Sequence, residues 1–354
     1  MPDRLLLLAD AGSTHTQRWA TEFARRGYDV HVASLRDRAI PGVTVHPLRP
    51  AKAGKLGYLA ALPTVRRLIR DLCPALVHAH YATSYGLLGA LSGFHPFVVS
   101  VWGSDVYDFP ARSPFHRALF AHNLRKADAI TSTSRDMARL AGRYVPGRDI
   151  EVIPFGVPLA QYPLVTPTGE PTIGCIKALE PWYGQEYLIR AIALLKAPAA
   201  REARLLLVGR GSDGERLAAL AREQGVANRI EFVGEIPAGG IPDFMRRLTL
   251  LAMPSLSESF GVVAVEASAC GLPVIASRVG GVPEVVRDGE TGLLVEPRNV
   301  EGLARALDSL LSDPALCERL GRAGREHVER HYEWARNVDQ MEAVYCRLGV
   351  TRPH

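Results

Sequence analysis

The chain has 354 residues, of which 47% are hydrophobic and 22% are charged. This composition excludes a disordered or fibrous protein and predicts two globular domains, each with its own core. The five cysteines show no metal-ligand spacing, and no apolar run reaches 18 residues. We therefore expect reduced thiols, a cytoplasmic protein, and neither a transmembrane helix nor a secretory signal.

Apolar strands alternate with helical patterns along the first half of the chain. Strands are predicted at LLLLAD, YDVHVAS, ALVHAH, PFVVSVW, DAITST and DIEVIPFGV. Helices are predicted from about residue 14 to 26, near 57–72, through 114–126 and near 134–142. This alternation is typical of a parallel α/β architecture.

A basic segment, residues 49–70, lies within this half, where residues 1–165 carry 20 Lys and Arg against 12 Asp and Glu. Its cations are Arg49, Lys52, Lys55, Arg66, Arg67 and Arg70, and apolar residues recur between them at helical spacing. Such a helix either docks on an anionic membrane surface or packs its apolar stripe on its own sheet. The pattern does not separate these two interpretations. It does not favour nucleic acid, because no recognised binding module accompanies the charge.

Ligands of open α/β sheets bind beyond the carboxyl ends of the strands, so the turns there are candidate sites. After the first strand, Gly12 and Ser13 would let the backbone approach phosphates, and His15 opens the next helix. His15 is equally consistent with a helix start that has no function. The turn lacks the G-x-G-x-x-G pattern, so a dinucleotide-dependent oxidoreductase is not favoured.

Two further strand ends carry polar or aromatic residues. His78 and His80 lie two residues apart on one strand face, but no carboxylate or cysteine at ligand spacing supports a metal there. In VVSVWGSDVYD, Asp105 follows a buried strand and is predicted to project to where an acceptor enters. An Asx turn or helix cap is the alternative for Asp105.

The second half repeats the strand and helix alternation after the linker-like segment PLVTPTGEP. Strands are predicted at PTIGCI, ARLLLVG, RIEFVG, LTLLAM, PVIAS and TGLLVE. Helices are predicted over 185–196, 213–224 and 241–248, and in the segment after LTLLAM to about residue 270. Asp313 before Pro314 predicts a helix start, so helices fill the end of the chain.

The segment PSLSESFGVVAVEASACGLPVIASRVGGVPEVVRDGETGLLVEP is the most informative part of the chain. Glu258 is predicted in a loop and Glu266 in the helix that follows, with the amides of Ser259, Phe260 and Gly261 at the helix N-terminus. Such amides bind phosphate. A helical carboxylate can accept hydrogen bonds from a ribose, and a loop carboxylate can face the hydroxyls of a sugar. The spacing therefore suggests a sugar-nucleotide site.

The E-x7-E pattern, GGVPEVV and DGETGLLVEP resemble the C-terminal half of the retaining glycosyltransferase family 4. The resemblance extends from Leu5 to the C-terminal helices and implies the GT-B fold, with two Rossmann-like domains facing across a cleft. It predicts an N-terminal acceptor-side domain over residues 1–165 and a nucleotide-sugar domain over 166–332. The last helix, within 333–354, is expected to cross back to the N-terminal domain.

The resemblance also assigns roles to single residues. His80 matches the histidine near the transferred sugar, and His78 is then structural. Trp102 replaces a histidine common before G-S-D, so it supplies no imidazole base but offers a flat surface for a sugar. Lys177 stands at the usual arginine position of the phosphate-binding segment.

Two departures and three weaker assignments complete the predicted site. Trp182 and Tyr183 occupy the region of the family's second basic residue, and Phe155 stands where many relatives have asparagine. Gly209 and Arg210 are placed near the ribose or base, and Ile236 near the base.

The implied function is transfer of a sugar from a nucleotide diphosphate, UDP or GDP, to a hydroxyl acceptor, with retention and without a metal or other cofactor. We expect His80, Asp105, Lys177 and Glu258 to act in the reaction, for synthesis of a cell-surface polysaccharide or glycolipid at the inner face of the membrane. The alternatives are a soluble acceptor, a nucleotide-sugar epimerase and an inactive binding subunit.

Overall fold

The computed structural model describes residues 3–48, 55–166 and 169–353. The chain divides into two compact units, the first formed by residues 1–154 and 336–354 and the second by residues 155–335. Residues 155–165 thus belong to the second unit, ahead of the boundary predicted after residue 165. The reason is local hydrogen bonding: the Val157 amide donates to the Tyr332 carbonyl and the Val165 amide donates to the Cys270 carbonyl.

The first unit contains a seven-stranded parallel sheet in the order β3-β2-β1-β4-β5-β6-β7. The strands are β1 (Arg4–Leu8), β2 (Asp29–Ser34), β3 (Thr44–Pro47), β4 (Leu76–His80), β5 (Phe97–Val101), β6 (Ala129–Ser132) and β7 (Glu151–Val152). The helices before its last strand are α1 (Thr14–Arg25), α2 (Lys55–Ala60), α3 (Leu62–Leu72), α4 (Ser84–Ser92), α5 (Ser104–Tyr107), α6 (Pro114–Lys126) and α7 (Arg135–Gly142).

The second unit contains a six-stranded parallel sheet in the order β10-β9-β8-β11-β12-β13. The strands are β8 (Thr172–Ile176), β9 (Arg204–Val208), β10 (Ile230–Gly234), β11 (Leu250–Met253), β12 (Val274–Ser277) and β13 (Gly292–Val295). The helices are α8 (Gln185–Ala193), α9 (Pro198–Arg201), α10 (Gly214–Glu223), α11 (Ile241–Met245), α12 (Val262–Ala269), α13 (Val282–Val285), α14 (Val300–Ser312) and α15 (Pro314–His331). Helix α16 (Trp334–Arg347) belongs to the first unit from Arg336 onward.

Strand burial explains why these apolar runs form central parallel strands. All of Leu5 to Leu8 in β1 are fully buried, and β4, β5, β11 and β12 are buried along their whole length. A parallel sheet covered by helices on both faces requires such continuous apolar strands. Each sheet therefore forms the centre of its own hydrophobic core.

The predicted helix starts agree with the structure where a capping residue is present. The Asp313 carboxylate accepts from the Leu316 amide at 3.0 Å, and Pro314 is the first residue of α15. Several elements were not predicted: strand β3, helix α4 and the four-residue helices α5, α9 and α13. Strand β3 is a four-residue edge strand, and α4 is apolar on most of its surface, so neither shows a clear period.

The predicted helix near 57–72 is two helices, α2 and α3, which meet at Ala61 ahead of Pro63. Val65 is fully buried, and the other apolar residues of α3 pack against the core of the first unit. They are Leu62, Leu68, Ile69 and Leu72. This packing favours the interpretation of α3 as a surface helix, with Arg66, Arg67 and Arg70 exposed. Arg49 and Lys52, which belong to the predicted membrane-docking segment, lie outside the described residues, as does the side chain of Lys55.

Across residues 3–48, 55–166 and 169–353, the helices are too short or too polar to cross a membrane.

Candidate active site

The carboxyl edge of the second sheet brings Lys177 and Glu258 together. Lys177 directly follows β8, and Glu258 lies in the loop between β11 and α12. The Lys177 ammonium forms an ion pair with the Glu258 carboxylate, and the two side chains are only 16% and 11% exposed. The same ammonium lies 5.0 Å from the centre of the Tyr183 ring. A desolvated cation at this edge can neutralise a diphosphate.

The start of α12 provides backbone donors beside this ion pair. Gly261 caps the helix in the left-handed conformation, with φ of 95°, and its carbonyl accepts from the amides of Ala264 and Val265. The amides of Ser259, Phe260 and Gly261 donate to no protein acceptor within the described parts of the chain. These groups are available to an anion at the positive end of the helix dipole.

Phe260 contributes only its backbone to this loop. Its side chain is 1% exposed and packs between the rings of Phe155 and Tyr332, at centroid distances of 6.1 and 5.5 Å. This packing fixes the loop on the core of the second unit. It also gives Phe155, the residue that departs from the family pattern, a structural role.

Glu266 lies in the second turn of α12 and is half-buried. The Tyr162 hydroxyl donates to its carboxylate at 2.9 Å. Tyr162 is 5% exposed, and its carbonyl accepts from the Arg325 guanidinium at 2.7 Å. Tyr162 was missed in the sequence because it directly precedes the predicted linker and lies 104 residues before its partner.

The three weaker donor residues lie at the same edge of the second sheet. Gly209 has φ of 138°, and a Cβ there would overlap the Lys177 carbonyl, so glycine permits the turns after β8 and β9 to touch. Arg210 is exposed, and Ile236 is half-buried in the segment after β10. The structure gives Gly209 a packing role and records no contact between Ile236 and Lys177.

In the first unit, His80 ends β4 and is 1% exposed. Its Nδ1 lies 3.2 Å from the Thr16 hydroxyl, and its Nε2 has no hydrogen-bond partner among the described residues. Burial, together with the nearby His78 and His15, holds the pKa of His80 well below its usual range. The ring is therefore neutral at physiological pH and can make one further hydrogen bond.

The ring of Trp102 lies 4.1 Å from that of His80, tilted by 37°. His15 and Tyr81 pack against its edge at 6.0 and 5.6 Å. Trp102 is 6% exposed. This enclosure leaves little of its face for the stacked sugar that the sequence suggested, and makes Trp102 a support for the His80 ring.

Asp105 does not project outward as predicted. It is 1% exposed, and its carboxylate accepts from the amides of Ala82 at 2.8 Å, Gly103 at 2.8 Å and Trp102 at 3.2 Å. Burial raises the pKa of Asp105, and the backbone donors oppose that shift. This geometry agrees with the alternative given for Asp105, an Asx turn. Through these bonds Asp105 holds the turns after β4 and β5 together.

The turn after β1 is closed by its own side chains. The Gly12 amide donates to the Asp10 carboxylate at 2.8 Å, so Gly12 offers a close backbone approach but not a free amide. Ser13 is the N-cap of α1 without a side-chain cap bond, and His15 is half-buried. These residues lie at the carboxyl edge of the first sheet, as predicted.

His78 has the structural role that was expected for it. Its Nδ1 lies 2.6 Å from the Tyr345 hydroxyl and its Nε2 lies 2.7 Å from the Ser100 hydroxyl, which in turn contacts Thr131 at 2.6 Å. Burial lowers the pKa of His78 to about 3. The described residues contain no group of three or more His, Cys, Asp or Glu placed to hold a metal ion.

Family models match both halves of the chain: "Glycosyl transferase 4-like" over residues 4–134 and "Glycosyl transferases group 1" over residues 161–327. The chain is 33% identical to D-inositol 3-phosphate glycosyltransferase of Acidothermus cellulolyticus, over 95% of this chain and 86% of that protein. It is also 33% identical to a GDP-mannose-dependent alpha-(1-6)-phosphatidylinositol monomannoside mannosyltransferase of Mycolicibacterium smegmatis, over 77% of each chain.

Among solved structures, sucrose-phosphate synthase from Thermosynechococcus elongatus superimposes with a TM-score of 0.85 at 25% identity. The superposition covers 98% of this chain and 99% of that one.

Proposed function

Because the chain belongs to glycosyltransferase family 4 and has the two parallel-sheet domains of the GT-B fold, we propose that it transfers a sugar with retention to an anionic glycolipid acceptor. It is a glycosyltransferase that uses a nucleotide sugar. The observation that carries the proposal is the Lys177–Glu258 ion pair beside the amides of residues 259–261, which have no acceptor among the described residues.

In the proposed donor site, three sets of groups in the second unit bind the diphosphate, the ribose and the transferred sugar. Lys177 and the amides of Ser259, Phe260 and Gly261 bind the diphosphate, because cations and unpaired amides are its natural partners. Glu266, oriented by Tyr162, accepts hydrogen bonds from the ribose hydroxyls. The diphosphate competes with Glu258 for the Lys177 ammonium, and the released carboxylate then accepts from hydroxyls of the transferred sugar.

The chemical task assigned to this site is electrostatic. Negative charge grows on the β-phosphate as the glycosidic bond breaks, and fixed donors in a desolvated site stabilise that charge without reorganising. Lys177 and the α12 amides supply these donors. For neutral His80, in the first unit, we propose the role that the sequence predicts, a hydrogen bond to the sugar. No step requires a metal, which we propose the enzyme does not need.

A glycolipid acceptor is supported by the phosphatidylinositol-based name of one relative and by the excess of Lys and Arg in residues 1–165. A relative that aligns over 95% of this chain carries an inositol phosphate in its name. A soluble phosphorylated acceptor is therefore the second candidate. Both acceptors are anionic, which agrees with the basic charge of the first half.

Thermal-shift measurements with UDP-, GDP- and ADP-sugars test the donor, because a ligand that binds the native state raises the melting temperature. We expect a UDP- or GDP-sugar to raise it. Product analysis by NMR then tests retention, and assays with and without EDTA test independence from metal. Absence of any shift with all three donor classes would contradict the proposal.

Sedimentation with anionic vesicles across a salt series tests peripheral membrane binding through residues 49–70. We expect binding that weakens as salt rises, since it depends on screened charge. Failure to bind at every salt concentration would remove the membrane part of the proposal and favour the soluble acceptor.

A further inference from the structure

A groove of about 690 Å³ lies wholly within the first unit, between α2, α4, the turn after α5, and α6. Its apolar lining consists of Leu59, Leu87, Leu91, Phe109, Phe115 and Leu119. The volume is within the range of small-molecule sites. The proposed donor site lies in the second unit, so the groove is a separate feature.

The groove changes from polar to apolar along its length. Thr83 and Ser84 follow β4, and Ser104 and Asp105 follow β5, so this part of the polar lining lies at the carboxyl edge of the first sheet. The Asp105 carboxylate is already held there by three backbone amides. This is the edge where ligands of such sheets bind. The apolar lining comes from the helices α2, α4 and α6 and from Phe109 in the turn after α5. A ligand that fits both parts has a polar headgroup and an apolar tail.

Cations border the apolar part. The Arg66 guanidinium donates to the carbonyl of Leu91 at 2.7 Å, which places the basic helix α3 against the groove wall. The Arg112 guanidinium lies 5.8 Å from the centre of the Phe109 ring. Residues 55–126 carry eight Lys and Arg against three Asp and no Glu. This charge is complementary to an anionic amphiphile.

Two large apolar side chains of the groove are exposed. Phe115 is 70% exposed and Leu59 is 45% exposed. A single exposed apolar residue needs no explanation, but adjacent ones beside an apolar groove mark an interaction site. Covering them with a hydrocarbon chain would remove their apolar surface from water.

We propose that this groove binds a hydrocarbon chain of an anionic lipid acceptor, with the headgroup at the Thr83 and Ser104 end. The inference rests on the proposed function, whose acceptor class it specifies. It goes beyond electrostatic docking, because the chain itself is recognised by side chains of the protein.

Isothermal titration with dodecyl phosphate, below its micelle concentration, tests chain binding. Butyl phosphate and inorganic phosphate provide the same headgroup with a short chain or none. We expect dodecyl phosphate to bind at least tenfold more tightly than butyl phosphate. Equal affinity for the two alkyl phosphates would overturn the inference, because the headgroup alone would then account for binding.

Leu119→Trp fills the groove, and Leu87→Trp fills it from α4 in case the first variant does not fold. Leu194→Trp is the matched control, because it makes the same substitution at a surface leucine, 43% exposed, in the second unit. We expect the groove variants to lose the preference for the long chain and the control to keep it. Unchanged dodecyl phosphate affinity in a folded groove variant would also overturn the inference.

Two further measurements separate this inference from the proposed function. If the wild-type protein bound a sugar nucleotide but showed no preference for the long chain, the proposed function would stand and only the lipid groove would be overturned. If it bound the long chain but no sugar nucleotide, the groove would stand and the proposed function would be overturned. If a folded groove variant retained the wild-type vesicle binding but lost dodecyl phosphate, the membrane surface and the groove would be distinct contacts, as we expect.

Discussion

Lys177 and Glu258 stand 81 residues apart in sequence, and each is nearly buried once they pair. We predict that Lys177→Met lowers kcat by about 10²- to 10³-fold, the usual cost of losing one fixed donor to a developing negative charge. Steady-state kinetics with the identified donor measure the effect. The free energy of unfolding should change much less than the barrier to turnover.

Arg204→Met is the matched control for Lys177→Met. Arg204 forms an ion pair with Glu231 at 3.3 Å in the same unit, but the two side chains are 49% and 39% exposed. Exposed pairs contribute little to stability, and this one lies away from the proposed site. We expect wild-type kinetics. Wild-type turnover in Lys177→Met as well would remove Lys177 from the reaction.

His78 gives a pH-dependent stability with a defined sign. Its pKa falls from 6.5 to about 3 on folding, so the unfolded chain binds one more proton between these values. The stability associated with His78 is present above pH 6.5 and is lost as pH falls toward 3, at about 1.4 kcal/mol per pH unit. Lowering the pH from 6.5 to 5 should reduce the free energy of unfolding of both proteins. We predict that this reduction is about 2 kcal/mol smaller in His78→Gln than in the wild type.

Urea unfolding at several pH values checks the His78 prediction. The quantity to compare is the slope of the unfolding free energy against pH in the wild type and in His78→Gln. The absolute values also differ, because the substitution removes hydrogen bonds to Tyr345 and Ser100 and lowers stability at every pH. His80 is buried in both proteins, and because burial is the largest cause of its lowered pKa, we expect its contribution to the pH dependence to change little. Parallel pH curves would show that folding does not lower the pKa of His78.

At the scale of single elements, the start of α12 depends on the left-handed conformation of Gly261. Gly261→Ala would place a Cβ 3.2 Å from the Met253 side chain and impose about 1 kcal/mol of backbone strain. We predict that it weakens nucleotide binding about tenfold, because the phosphate-binding amides precede this residue and move with it. Titration with UDP and GDP measures the affinity.

Gly289→Ala is the control for backbone strain. Gly289 has φ of 74°, and a Cβ there would meet nothing within 4 Å. We expect a similar loss of stability and unchanged nucleotide affinity. If both variants bound nucleotide equally well, the α12 amides would not be the phosphate site.

Elements with a strong local signal could be predicted from the sequence, whereas those defined by their neighbours could not. Continuous apolar runs were enough to predict the strands β1, β4 and β11, and capping chemistry was enough to predict the helix start at Asp313. The short edge strand β3 could not be predicted, because it is defined by its pairing with β2. The break between α2 and α3 had a signal, Pro63, that the basic pattern obscured.

In the candidate site, too, features with a local signal could be predicted from the sequence and those that depend on neighbouring elements could not. Lys177 and Glu258 could be placed at strand ends from the sequence, but their direct ion pair depends on the adjacency of β8 and β11. Asp105 was misassigned because the Gly-Ser context permits both an outward carboxylate and a cap. The Ala82 amide, 23 residues away, decides between them.

At the scale of the whole molecule, Tyr345 connects the last helix to the first sheet within one unit. It is fully buried, its ring lies 5.2 Å from that of Phe23, and its hydroxyl contacts His78 at 2.6 Å. We predict that Tyr345→Phe destabilises the first unit by about 1–3 kcal/mol, because His78 loses a buried partner. Hydrogen exchange with mass spectrometry should show faster exchange in β4 and unchanged exchange in the second unit.

Tyr107→Phe is the matched control in the same unit. The Tyr107 hydroxyl donates to the Asp136 carboxylate at 2.9 Å in a partly exposed position, where water can replace the lost bond. We expect less than half of the effect of Tyr345→Phe. Equal effects would show that burial of the Tyr345 hydroxyl adds nothing to stability.

The discontinuity of the first unit, residues 1–154 with 336–354, has a consequence for biosynthesis. The ribosome releases the entire second unit before the helix that contains Tyr345 emerges. The second unit can therefore fold while translation continues, whereas the nascent first unit cannot bury His78 against Tyr345 until the helix that contains Tyr345 has been made. A premature stop codon just before the codon for Arg336 would thus damage the part of the protein that was made first.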